Sequence, residues 1–193
     1  MVLGVLDRLG VEQAHFVGHS YGGALTLWIA AHHPERLRSM VLVDTAMPLY
    51  STTLRTRAAN LRPLTFAYLR TVVLHQRYVR RVLRAAYHDD ALATPEVARA
   101  YLDRLRVAGI DDAYYGLMAE LGAPPAEVDL ATIATPRWWS GAATTRTPQR
   151  NGQRIAAALP HARFTSIPEC GHTPMEEKPR ELLAEVLPFL GEH

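Results

Sequence analysis

The stretch Val17-Gly18-His19-Ser20-Tyr21-Gly22-Gly23 constrains this chain more than any other. The apolar run Ala14-His15-Phe16-Val17 precedes it, and Ala24-Leu25-Thr26-Leu27-Trp28-Ile29-Ala30-Ala31 follows. The first reads as a short buried strand and the second as a helix with apolar residues on most faces. A strand that turns at once into a helix throws one side chain out at the apex, here Ser20. Gly18 and Gly22 carry no Cβ, so backbone can pass close on both sides of the turn. The pattern predicts Ser20 exposed, in a strained conformation. The N–H groups that open the following helix point toward its oxygen, which makes the Tyr21 N–H a natural donor to an oxyanion.

A serine hydroxyl is a poor nucleophile without a base. The candidate base lies near the other end of the chain, in Pro168-Glu169-Cys170-Gly171-His172-Thr173-Pro174. His172 follows a strand-like run, Ala162 to Ile167, and precedes a helical one, Pro179 to Leu190. Gly171 allows a tight loop that aims the imidazole. With G-x-S-x-G between strand and helix, and Gly171-His172 followed by Pro174, Glu176 or Glu177, and Pro179, the chain resembles the α/β-hydrolase superfamily. The resemblance is strongest at the two ends, and the order Ser before His is the family's.

Composition fits this frame. The 193 residues are 48% hydrophobic and 21% charged, enough for a domain with a core. A net charge of +2 does not argue for nucleic acid. The single cysteine, Cys170, excludes an internal disulfide and fits a reducing, cytoplasmic setting. It reads as space-filling beside the His172 loop. No run is apolar over membrane length, and no residue cluster has metal-ligand spacing. No metal or cofactor is therefore expected.

In chain order, Met1 to Gly10 reads as the last turns of an amphipathic helix closed by Gly10. In the family, several strands and helices come before that helix, including a loop that gives a second oxyanion N–H. The expectation is a chain truncated at its N-terminus, either by a late start or in fact. Ser39 to Asp44 is a buried strand with Asp44 at its C-terminal end, where open α/β sheets keep their sites. From Met47 to about Val128 the periods are helical. Leu69, Val72, Val73, Val79 and Leu83 suggest one apolar stripe, with Arg70, Arg77, Arg81 and Arg84 on a solvated face. Thr94-Pro95 is a helix start, and Gly109 and Gly122 read as stops. The resemblance makes residues 47–128 a helical lid. Residues 1–46 and 129–193 are then an incomplete α/β core with a parallel sheet lacking its N-terminal strands.

The family's triad acid belongs just before Arg146, where Thr145 stands, and no Asp or Glu occurs from Leu130 to Pro168. Asp44 is the alternative, because some superfamily members place their acid after that strand. The segment Arg137 to Thr145 suggests why the acid is missing. A family-type Thr-Leu-Val-Val-Trp-Gly-Gly-Asp-Asp, written in G/C-rich codons and read one base out of frame, gives Arg-Trp-Trp-Ser-Gly-Ala-Ala-Thr-Thr, the residues found here. The hypothesis is two compensating single-base changes. Codons without an Asp-containing alternative frame would falsify it.

The expected activity is hydrolysis of an ester or similar acyl substrate. Ser20 is the nucleophile, His172 the base, Tyr21 an oxyanion donor, and Asp44 the candidate acid in the absence of one at position 145. Thioester, C–C bond and perhydrolase chemistry use the same residues and stay open. So does a non-catalytic remnant or binding protein of the same fold. The expected partner is a small acyl substrate. An apolar sheet edge where strands are missing would favour self-association.

Overall fold

The computed structural model describes residues 1–45, 61–121, 128–133, 137–143, 149–160 and 162–192; for 120–121, 137–143 and 149–151 it describes backbone alone. The chain divides into two compact units, one of Met1–Met47 with Ala126–His193 and one of Pro48–Pro125.

The first unit is an α/β layer structure. Strands β1 (Ala14–His19), β2 (Leu37–Val43), β3 (Arg137–Ala143) and β4 (Ala162–Pro168) form one sheet in that order. All three pairings are parallel. Helices α1 (Val2–Arg8) and α2 (Tyr21–His32) flank β1 in the chain. After the second unit, whose α-helices are α3 (Arg62–Tyr68), α4 (Gln76–Ala86), α5 (Pro95–Arg104) and α6 (Ile110–Leu121), α7 (Gln149–Ala158) joins β3 to β4, and α8 (Pro174–Glu177) and α9 (Pro179–Gly191) follow β4.

The β2 sequence Leu-Arg-Ser-Met-Val-Leu-Val explains the layering. Every residue but Arg38 is buried, as a parallel strand covered on both faces requires. Successive side chains point to opposite faces. Met40 and Leu42 accordingly join a core with Leu27, Ile29 and Ala30 of α2, Ile133, Ile155 and Leu159. Val41 and Val43 join the opposite core with Ile167, Cys170, and Leu182, Val186 and Phe189 of α9. Each Val, Leu, Ile, Met or Phe among them contributes roughly 1.5–3 kcal/mol relative to exposure. On the edge, β1 is half-covered, with Val17 57% exposed.

The regular elements of the second unit's described residues are all helical: α3 (Arg62–Tyr68), a wider π-type turn over Leu69–Val73, α4 (Gln76–Ala86), a 3-10 turn over Asp90–Leu92, α5 (Pro95–Arg104) and α6 (Ile110–Leu121). Thr94 caps α5, its Oγ1 accepting the Val97 N–H at 3.2 Å. Val79, Leu83, Tyr87, Ala93, Ala98 and Leu102 make its core. The single stripe expected from Leu69 to Leu83 is split. Leu69 and Val73 are buried in the π turn, the helix breaks at Leu74–His75, and Val79 and Leu83 belong to a new helix. Arg70 is exposed, as expected, and its guanidinium pairs at the surface with Asp111 at 2.6 Å. Gly109, at φ 81°, sits directly before α6 and five residues beyond the end of α5. It opens a helix rather than stopping one. Gly122 lies outside the described residues.

Candidate active site

The site is built at the C-terminal edge of the sheet, where three turns leave three strands. Among the described residues, the non-glycine residues with positive φ are Ser20 (52°), Asp44 (39°) and Glu169 (50°). Each directly follows the last residue of β1, β2 or β4. Such conformations cost on the order of 1–3 kcal/mol each and persist only where surrounding structure imposes them.

The constraint at Ser20 is visible. Its N–H donates to the Val43 carbonyl at 3.0 Å, tying the turn to β2, and its own carbonyl accepts the Gly23 N–H at 3.0 Å. A Cβ at Gly18 would lie 2.6 Å from both the Gly22 carbonyl oxygen and Thr26 Oγ1, so strand and helix meet this closely only over glycine. The sequence reading gave Gly22 the same need, but a Cβ there meets nothing within 4 Å. What approaches at Gly22 is its carbonyl. The second tight position is Gly23, where a Cβ would fall 2.0 Å from Thr45 Oγ1. Ser20 itself is half-buried rather than exposed, and Tyr21, the first residue of α2, is 39% exposed.

Three side chains from the three turns come together. His172 Nε2 lies 3.0 Å from Ser20 Oγ. On the other side of the ring, Nδ1 is hydrogen-bonded to Asp44 Oδ2. A carboxylate accepts, so Nδ1 carries the proton and the Nε2 lone pair faces the serine hydroxyl. The Asp44 side chain is 12% exposed and that of His172 30% exposed, so the acid sits deeper than the base. Thr145, the other position considered for the acid, lies outside the described residues.

The loop carrying His172 is held from several directions. The Gly171 N–H donates to Glu177 Oε1 at 2.8 Å, and Thr173 Oγ1 donates to the same oxygen at 3.4 Å. Cys170 packs beneath, fully buried, and burial pushes its thiol up to about 12. Burial thus disfavours the thiolate at Cys170. His19 Nε2 lies 2.7 Å from the His172 carbonyl oxygen, with the two rings 4.7 Å apart. Sequence reasoning gave His19 no part and left Glu176 and Glu177 undivided. A bulky polar residue directly before an apex serine was the available signal. Among the described residues, no group of three or more His, Cys, Asp or Glu could hold a metal ion, and no helix is long and apolar enough to cross a membrane.

Known proteins share this arrangement of sequence and fold. The candidate carbamate hydrolase RutD of Caulobacter sp. (strain K31) is 28% identical over 98% of this chain and 70% of its own length. The 2-hydroxymuconate semialdehyde hydrolase of Pseudomonas putida is 26% identical over 98% of this chain, which spans 66% of that relative. A solved meta-cleavage product hydrolase from Pseudomonas fluorescens IP01 superposes with a TM-score of 0.80 at 22% identity, covering 99% of this chain and 69% of that one. The model of the alpha/beta hydrolase family matches residues 2–186, a span that takes in the Ser20 turn, the parallel sheet and the His172 loop alike; the chain belongs to the alpha/beta hydrolase family.

Proposed function

We propose that this chain is a serine hydrolase of acyl substrates, with Ser20 as nucleophile, His172 as base and Asp44 as the acid that orients it. The observation that supports this reading best is the continuous line from Ser20 Oγ to His172 Nε2 at 3.0 Å and from Nδ1 to Asp44. In the first half-reaction Ser20 Oγ attacks the substrate's carbonyl carbon while its proton passes to Nε2. The imidazolium is stabilised by Asp44, which keeps its own charge. The carbonyl oxygen becomes an oxyanion, and we assign the Tyr21 N–H, at the positive end of α2, as a donor to it. His172 then gives its proton to the leaving group. Water, deprotonated by His172, releases the acid from the acyl-enzyme. Nucleophile, proton carrier and orienting charge are all side chains, so this chemistry calls for no cofactor.

The substrate class proposed is an ester or closely similar acyl compound. The relatives carry the names of hydrolases of different compounds, a carbamate, a semialdehyde and a meta-cleavage product. A fluorophosphonate probe tests the reading without knowledge of the substrate. The expected result is covalent labelling that disappears in Ser20→Ala, with the melting temperature nearly unchanged because the hydroxyl contributes chemistry rather than packing. An unlabelled protein, or equal labelling of Ser20→Ala, would instead support a binding protein built on the same fold.

A further inference from the structure

We infer that His19 is a positioning residue of the site, a neutral donor that holds the backbone of the base by the hydrogen bond from its Nε2 to the His172 carbonyl. The inference rests on the serine-hydrolase reading above and goes beyond it by adding a group outside the nucleophile, base and acid.

A carbonyl oxygen can only accept, so the 2.7 Å contact requires the proton on His19 Nε2. The site favours the neutral ring. Burial is the largest influence and lowers the His19 pKa below its usual 6.5, and the neighbouring His172 lowers it further. The bond to the His172 carbonyl, with Asp44 and Glu176 at longer range, pulls the other way and does not prevail. A neutral donor suits this place. In the proposed reaction His172 becomes a cation, and a second cation with its ring 4.7 Å away would oppose that step.

The geometry also explains why the donor comes from this position. His19 ends β1 and directly precedes the strained Ser20, while His172 is 153 residues further on. The bond therefore ties the nucleophile's own turn to the loop of its base. Ser20 Oγ and His172 Nε2 meet through flexible side chains, and this backbone link fixes the frame from which both reach. The Glu177 carboxylate holds the same loop one residue earlier, at the Gly171 N–H. A loop pinned at two neighbouring residues holds the backbone from which the imidazole reaches Ser20, and a misplacement of about 1 Å can cost on the order of 100-fold in rate.

The test uses the full chain, a fluorophosphonate, and the variants His19→Phe, His19→Asn and His19→Gln beside Ser20→Ala. Phe keeps the ring volume without the donor. Asn is polar and readily accommodated, but its amide stops short of the carbonyl. Gln places an N–H near where Nε2 stood. The expected result is an inactivation rate constant reduced about 10- to 100-fold in His19→Phe and His19→Asn, with probe affinity unchanged, and largely recovered in His19→Gln. The low-field proton resonance of His172 Nδ1–H should broaden or shift in the first two variants and return in the third. Wild-type rates in both His19→Phe and His19→Asn would overturn the inference while Ser20→Ala still upholds the hydrolase reading. Losses that follow the melting temperature and are not recovered by His19→Gln would overturn it as well. Equal labelling of Ser20→Ala and wild type would overturn both.

Discussion

At the scale of single residues, the proposed mechanism depends on which nitrogen of His172 carries the proton. Asp44 decides this by accepting from Nδ1. In Asp44→Asn the amide can donate to Nδ1 instead, which moves the proton to Nε2 and leaves no lone pair there to accept from Ser20. The expected loss in fluorophosphonate labelling rate is about 10⁴-fold, the cost of a wrong tautomer in serine hydrolases. A loss under tenfold would mean that another group orients the imidazole. Ser20 and His172 were legible in the sequence because each lies in a short local pattern whose glycines and flanking elements carry the meaning. The Asp44 contact was not, because it depends on where β2 ends relative to β4 with β3 between them. Sequence alone left Asp44 and position 145 as alternatives. His19 was missed for the opposite reason: its neighbour pattern was read for glycine and serine, and its partner is a backbone oxygen that no side-chain pattern reports.

At the scale of elements, the strands and helices of the first unit followed from apolar runs and breakers. The sequence placed strands at Ala14–Val17, Ser39–Asp44 and Ala162–Ile167, and the structure has them at Ala14–His19, Leu37–Val43 and Ala162–Pro168. The segment from Arg137 was harder, since Arg137-Trp138-Trp139 breaks the apolar pattern of a buried strand. Its backbone nonetheless pairs with β2 and β4, because pairing on both sides outweighs local composition. The π turn in unit 2 was invisible to a period-based reading, which runs one helix through it. Packing of α2 on the turn after β2 offers a direct check. Gly23 faces the Thr45 side chain, whose Oγ1 is buried with no hydrogen-bond partner among the described residues. An added methyl there would overlap the Thr45 side chain, Cβ included, so Thr45 must shift. Gly23→Ala is expected to lower stability by about 1–3 kcal/mol, read as a lower denaturant midpoint at unchanged slope. An unchanged midpoint would show that the turn yields without cost.

At the scale of the whole molecule, the described sheet ends in two edge strands, β1 and β4. The edge strand β1 pairs with β2 alone, Val17 is 57% exposed, and Leu25 and Trp28 on α2 are 38% and 36% exposed. An apolar edge with free ladder positions favours pairing with another chain. This chain expressed alone is expected to self-associate in sedimentation velocity, increasingly so with concentration. A monodisperse monomer with a cooperative melt would contradict that. The order of the strands has a different consequence, one that concerns the making of the protein. Because β1, β2, β3 and β4 lie side by side in the order in which they are synthesised, each can dock on its predecessor as the chain emerges. Ser20 and Asp44 are set in place by the first pairing, but His172 is 152 residues beyond Ser20 and reaches it only after the last strand has zipped onto the sheet. Under the proposed mechanism, a nascent chain therefore carries Ser20 without its base until β4 has joined the sheet.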